Sequence, residues 1–259
     1  MNERVQRLKS RLSVDTYPIL SEKPVLIVNS LRKTEGEPMI VRNAKALAHY
    51  LDNKTIFIEE DELLVGNIAS RPMGLEGGTR GPTWSHEDME DLRKGGYEIT
   101  AEDEARLRSL DDYWKDKGRT MFERMGQYYD DDRLWPFIQS GIMLPPWKSR
   151  NEGRGHGAAG MGWGLGMGLS LIVVDFAKVL DEGLETIVQD AEKELKSLQY
   201  TSADAVKKAD FLRAVIIADS AIIRIAHRFG DLAKETALRE QSIVRKEELE
   251  KISNACHQV

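Results

Sequence analysis

Cysteine is almost missing from this chain. Its 259 residues include one, Cys256, which leaves no disulfide framework and no thiolate metal site. Such sparing use suits a reducing, cytoplasmic compartment. Histidine is scarce as well. His49, His86, His156, His227 and His257 show no metal-ligand spacing, and no glutamate-rich helix pairs with them, so no metal site is expected. A basic excess is lacking: the net charge of −6 turns away from nucleic acid, because phosphate binding wants a basic face. The opening MNERVQRLKSRL is charged throughout and carries none of the apolar run of a secretory signal. There is no internal repeat, no Gly-Lys-Ser/Thr phosphate loop and no serine in a nucleophile elbow. One stretch tests for a membrane span. Gly157–Val174 runs 18 residues without a charge, near the lower limit for a spanning helix. A third of it is glycine and no Lys or Arg cluster follows it. It reads as a buried loop, and no membrane partner is expected.

What the chain has in excess is glycine in one place. Eight glycines fall from Gly153 to Gly168, and from Gly160 onward they take every second position. Each would cost roughly 1 kcal/mol relative to alanine inside a helix, so other parts of the protein must order this segment. Alternating glycines let backbone lie close against backbone or against a ligand. Gly155–Gly160 matches G-x-G-x-x-G. It follows WKSRNEGR rather than a strand and leads into more glycines rather than a helix, so dinucleotide binding is rejected. His156 lies inside this stretch and is the histidine best placed to touch a ligand. The preceding Leu134–Lys148 is dense in aromatics and prolines. It reads equally as core packing of a long connection or as a pocket wall.

The rest reads as helix. The spacing predicts short helices over Arg4–Leu12, with Val5, Leu8 and Leu12 on one face, and from Ser21 to Gly36, with Ser21 as cap and Pro24 in the first turn. Pro38–Leu51 follows, with Ile40, Ala44, Leu47, Ala48 and Leu51 as its apolar face. Tyr17-Pro18 reads as an interruption. Thr55–Ile58 and Leu63–Ile68, around the acidic turn Glu59–Glu62, predict a hairpin or a pair of extended segments. Arg71–Gly96 is irregular, and a loop that long is usually functional or packed on a partner. Thr100 caps a predicted helix over Ala101–Lys117, although Asp103 is shorter than the residue a capping box prefers. Thr120–Tyr129 is another helix. From Asp175 the pattern is helical to Gly183, again over Leu184–Leu198, and then across Ser202–Glu240, with Gly230 as its weak point. That last run, unbroken, spans about 60 Å at roughly 1.5 Å per residue. A final helix begins at Gln241. His227 and Cys256 read as packing residues.

Several stretches, in order, resemble the N-terminal region of glycyl radical enzymes related to pyruvate formate-lyase, in the branch of diol dehydratases and arylacetate decarboxylases. They are RVQRLKSRL from Arg4, Arg32–Pro38, VRNAKALAHYLDN from Val41, IFIEEDELLVGN from Ile56 and VDFAKVLDEGLETI from Val174. The most specific are Asp61-Glu62-Leu63 with Val65-Gly66-Asn67, and Asp175-Phe176 with Val179-Leu180 and Gly183-Leu184. The resemblance covers almost the whole chain. It implies an α/β fold overall: a barrel of two five-stranded half-sheets wrapped in helices. This chain, mostly α-helical with a few short strands, would supply part of that ten-stranded barrel, with residues 1–259 as one incomplete domain.

The resemblance also implies a glycyl radical and a central cysteine that meet inside the barrel, and a radical-SAM activating enzyme that installs the radical. Cys256, in SNACHQV, does not match that cysteine, and no RVxGY-like glycyl loop is present. The expectation is therefore an N-terminal portion or split subunit of an anaerobic lyase, dehydratase, decarboxylase or formate-acetyltransferase-like enzyme. Alone it would be catalytically silent, with no catalytic residue and no cofactor of its own. Its partners would be the remaining C-terminal part, the activating enzyme and further copies of itself. Leu134–Leu171 would line the substrate cavity, with Ser140, His156, Trp163 and Leu171 facing it, or would form a connection packed under the barrel. Many relatives carry Gly-His where Ser170-Leu171 stands, so the resemblance implies a less polar substrate than glycerol. The other class that stays open is a non-catalytic helical binding protein on the same scaffold, which would offer the long Ser202–Glu240 helix to a partner.

Overall fold

The computed structural model describes residues 2–12, 16–76, 86–117 and 175–258. The chain divides into two units, Met1–Tyr113 with Ala177–Val259, and Trp114–Phe176. All the architecture below belongs to the first, apart from the end of one short helix and the first residue of another. In order the elements are α1 (Glu3–Arg11), β1 (Tyr17–Leu20), α2 (Glu22–Lys33), α3 (Met39–Asn53), β2 (Leu75–Glu76), α4 (His86–Lys94), β3 (Tyr97–Ile99), α5 (Ala101–Arg108), α6 (Asp111–Lys117), α7 (Phe176–Ser197), α8 (Ala203–Arg239) and α9 (Ile243–Cys256).

The helices dominate, as expected. α8 is 37 residues long and unbroken at Gly230, or about 55 Å at roughly 1.5 Å per residue. Ser202 caps it, its hydroxyl accepting from Ala205 N at 3.2 Å. Gly230 is tolerated because it makes room: a Cβ there would lie 2.7 Å from the Nε2 of His257, just past the end of α9. The His257 ring meets the His227 ring at 5.1 Å between centroids, tilted by 42°. Gly183 sits at φ 78°, so α7 is two helices joined at a kink, where the glycine and the restart at Leu184 had placed one. The apolar face of α8 expected to meet a partner is in good part used within the chain, against α3 and α9.

Three short strands form a parallel sheet in the order β2-β1-β3. Tyr17-Pro18 thus does more than interrupt: it starts the central strand. Proline is rare there because it lacks an N–H. The register shows how it is accommodated. Tyr17 N donates to Gly96 O on the β3 side, so the missing Pro18 donor would point toward β2. Pairing with β2 begins only at Ile19, opposite Leu75. Ile19 is 1% exposed and packs with Met89 and Leu107.

Several boundaries differ from the sequence reading. The helix expected over Ala101–Lys117 breaks at Ser109-Leu110, where Leu110 turns inward and is buried. The irregular Arg71–Gly96 contains β2 and α4. The latter ends where Gly95 N bonds Asp91 O and Leu92 O and Gly96 takes φ 87°. On α3 the buried set is Val41, Ala44, Ala46, Ala48 and Tyr50: of the expected stripe Ala44 and Ala48 are buried, while Ile40 and Leu47 are exposed and Leu51 is half-buried. The helix lies between α2 and α8 and is covered from two sides. The face of Val5, Leu8 and Leu12 on α1 stays exposed; its arginines hold the helix instead.

The segments Thr55–Ile58 and Leu63–Ile68 form no strand and no ladder, with bends at Leu63, Leu64 and Ile68. Side chains join them. Asn67 Nδ2 donates to Thr55 O, and Phe57 N donates to Asn67 Oδ1, both at 3.4 Å. The carbonyls of the intervening turn are taken by Arg245 of α9, which donates to Glu59 O at 2.9 Å and to Glu62 O at 2.8 Å.

The Thr100 cap is present, with Asp103 N donating to Thr100 Oγ1 at 3.0 Å. Asp103 is too short to reach back to the Thr100 backbone. It accepts instead from the Thr100 hydroxyl at 2.7 Å and from the Ser21 hydroxyl at 2.7 Å. Ser21 therefore stands at the start of α2 without capping it. Burial pushes the Asp103 carboxyl up, but these hydrogen bonds outweigh it and hold it below its ordinary value. Thr100→Ala should cost about 1 kcal/mol in a urea melt. A loss under a few tenths would show that the cap contributes nothing.

Candidate functional site

Ser140, His156, Trp163 and Leu171, and the glycine-rich stretch itself, lie outside the described residues. What the described residues assemble is centred on Tyr50, near the end of α3. Its hydroxyl donates to Ile68 O at 2.7 Å. Two ammonium groups stand over its ring, Lys23 Nζ at 5.6 Å and Lys54 Nζ at 5.5 Å from the centroid.

The arrangement is built by local features. Lys23 lies in the first turn of α2. Lys54 is the C-cap of α3, its N–H closing on Tyr50 O at 2.8 Å. The carboxylate of Glu22 accepts from Thr55 N and Thr55 Oγ1, each at 2.6 Å, which ties the residue after Lys54 to α2. Glu76 of β2 accepts from Lys23 N and Ser70 N, each at 3.0 Å. From the other side Arg228 of α8 donates to Leu51 O and Lys54 O, and Arg224 forms a two-pronged pair with Asp52 at 2.8 and 2.9 Å. Cations at the carbonyl end of a helix are favourable.

Lys54 is 4% exposed, and its Nζ donates to Asn67 O. Burial pulls its ammonium down, partly opposed by Glu22 and Glu76. Burial, with help from Glu76 and Glu22, pushes the Tyr50 hydroxyl up to about 12. At neutral pH Tyr50 is a donor, not a base.

Two clefts flank Tyr50. One, of about 600 Å³, lies between α2, α3 and the first half of α8, and Lys23, Asn43 and Asp219 are its other polar groups. Burial pushes the Asp219 carboxyl up. The other, of about 490 Å³, runs between the end of α3, the 65–68 segment and the middle of α8. Sequence reasoning missed both. A signal existed for the first: Asp219 is a carboxylate in the apolar period of α8, between Ile216 and Ile222.

No group of three or more His, Cys, Asp or Glu side chains that could hold a metal occurs among the described residues. Burial pushes the Cys256 thiol up, away from the thiolate a nucleophile needs. No described helix is long and apolar enough to cross a membrane.

A third feature is a fan of arginines. Asp61 has a side chain 3% exposed and accepts from Arg7 at 2.7 Å and Arg11 at 3.0 Å, with Arg4 at 3.9 Å. Arg4 also pairs with Glu248 of α9 at 2.6 Å. The acidic turn is thus a docking point for α1 rather than a solvated bend.

Fold and sequence together match one family. The family model described as pyruvate formate lyase-like matches residues 1–259, and the chain belongs to that family. It is 30% identical over 266 residues to an isethionate sulfite-lyase of Desulfovibrio desulfuricans, covering 98% of this chain and 30% of the relative. It is 24% identical to a (2S)-3-sulfopropanediol dehydratase of Klebsiella oxytoca, covering 99% of this chain and 30% of the relative. Among solved structures it superposes on the B12-independent glycerol dehydratase of Clostridium butyricum with a TM-score of 0.75 at 26% identity, covering 99% of this chain and 31% of that one. A glycyl radical enzyme of Archaeoglobus fulgidus matches at 0.71 and 25% identity, with 99% and 31% covered. The resemblance read from the motifs, and the partial α/β fold it implied, are borne out. The chain spans about 30% of the length of these relatives.

Proposed function

We propose that these residues are the amino-terminal, helical portion of a glycyl radical lyase or dehydratase that acts on a small organic substrate, and that they are catalytically silent alone. The observation that carries this reading is the family match across the whole chain, combined with a span of about 30% of the relatives. The thiol of Cys256 supports it, since burial disfavours its reactive form. In this reading residues 1–259 form one incomplete domain. The radical, the central cysteine and the glycyl loop belong to the remaining C-terminal part, which is the main partner. A radical-SAM activating enzyme and a second copy of the enzyme are the others, and the compartment is an anaerobic cytoplasm.

The direct test is the reading frame downstream at the gene's own locus, followed by anaerobic activation of the chain with and without the polypeptide encoded there. Turnover only in the combined sample is expected. An unrelated downstream frame, with no partner carrying a glycyl loop anywhere in the genome, would overturn the proposal. Within the active assembly, Leu134–Leu171 forms one wall of the cavity, with Ser140, His156, Trp163 and Leu171 facing the substrate. Leu171→His should shift preference toward hydroxylated substrates by about tenfold or more in kcat/KM, the scale on which pocket contacts discriminate. Trp163→Ala should lower turnover. If both variants fold with normal radical content and change neither rate nor preference, the wall assignment is wrong.

A further inference from the structure

The cleft of about 490 Å³ beside Tyr50 has a lopsided chemistry. One wall is the hydrocarbon of α8, chiefly Ile222, Ile225 and Phe229. The opposite side carries Lys23 and Lys54. Among the described residues, no Asp or Glu lines it, although the chain as a whole carries 43 acidic against 37 basic side chains. The nearest carboxylates, Glu22 and Glu76, are turned to backbone amides and the Thr55 hydroxyl. Arg228 adds to the positive field at Lys54. Lys54 is the unusual member. This residue, 4% exposed, donates from its Nζ to Asn67 O and faces the Tyr50 ring at 5.5 Å, with no carboxylate bonded to it among the described residues, out of a capacity of three donors. Buried cations are ordinarily paired with anions. The neighbouring cleft differs, since Asp219 lines it together with Lys23.

We propose that this cleft binds a small organic carboxylate, its head group at the Lys54 ammonium and its hydrocarbon body against Ile222, Ile225 and Phe229. The volume is that of a ligand site, and the combination of apolar walls with a few convergent polar groups is the usual one. Every described residue that lines the site belongs to the first unit.

Isothermal titration of the 259-residue chain with octanoate, and separately with octylammonium as the charge-reversed probe, tests this. Octanoate should bind, and octylammonium should bind at least about tenfold more weakly. Lys54→Met should lower octanoate affinity about tenfold, the size of one charge-assisted contact. Lys23→Met alters a less buried residue and keeps the test valid should Lys54→Met fail to fold; it should weaken octanoate severalfold. Asp219→Asn should leave octanoate affinity unchanged. Equal binding of the two probes, no heat with octanoate, or an affinity indifferent to Lys23→Met would each overturn the proposal.

Discussion

Leu249→Ala should destabilise the helical unit by about 2–5 kcal/mol. Leu249 is 0% exposed and sits with Ala233, Ala237 and Ile252 in the contact between α8 and α9, with Ile58, Val65 and Cys256 packed around them. The residues of α9 that are buried are Arg245, Leu249, Ile252 and Ser253, a stripe at i, i+4, i+7 and i+8. Two of these are polar, so much of the hydrocarbon that holds α9 is in one leucine and one isoleucine. On the α8 side the partners are alanines, which let the helices approach closely but cannot expand to fill a hole. The cavity left by truncation therefore stays open, which places the cost toward the upper part of the range. Urea denaturation followed by helical circular dichroism reads the effect. Leu249→Met, which keeps the volume, should cost less than about 1.5 kcal/mol. A loss below 1 kcal/mol for the alanine variant would show that α9 is not held by this contact.

The parts of the fold legible in the sequence are those set by short-range chemistry. The period of α8, the threonine that caps α5 and the kink at Gly183 are each decided within a few residues. β1 was not legible. It is four residues long, contains a proline, and exists because Leu75-Glu76 and Tyr97–Ile99 come to lie on either side of it. Nothing local to Tyr17–Leu20 announces those partners. The same holds for the two segments around Glu59–Glu62, whose alternation suggests a hairpin. A guanidinium more than 180 residues away supplies the partner for the turn carbonyls, and no ladder forms. At the site, Lys54 reads as an ordinary polar residue after a helix. Its burial depends on Asn67 O and on the Tyr50 ring, both brought there by tertiary structure. Asp219 was the readable exception. The family motif Asp61-Glu62-Leu63 with Val65-Gly66-Asn67 was also legible as a pattern, but its physical content appears only in the fold. Asp61 gathers arginines, Asn67 clamps the two segments, and Gly66 takes φ 127°.

That arginine fan gives the second large effect. Asp61→Asn should release α1 from the rest of the unit, with tryptic cleavage after Lys9 and Arg11 accelerated by about an order of magnitude as local opening becomes easy. α1 has no buried residue, and Val5, Leu8 and Leu12 are exposed, so apolar burial does little to dock it. The docking rests on Arg7 and Arg11 at Asp61 and on Arg4 at Glu248. Asparagine keeps the shape but leaves guanidinium groups facing one another without the negative charge. The pH dependence has a definite sign. The Arg7 hydrogen bond, and then the charges of Arg7, Arg11 and Arg4, hold the Asp61 carboxyl below its ordinary value despite burial. The side-chain hydrogen bond from Arg4 does the same for Glu248. A carboxyl depressed in the folded state contributes stability above its unfolded pKa, about 3.9 for aspartate, and that stability is lost as pH falls through the depressed folded value. Protection of α1 should therefore be flat from pH 7 to about pH 5 and vanish only below the ordinary carboxylate range. Acid-stable pepsin replaces trypsin at the low end. Glu60→Gln serves as the control. Its carboxylate is 83% exposed and reaches Arg11 only at 3.4 Å, so it should change cleavage little. If Asp61→Asn cleaves no faster than Glu60→Gln, the arginine fan does not hold the helix.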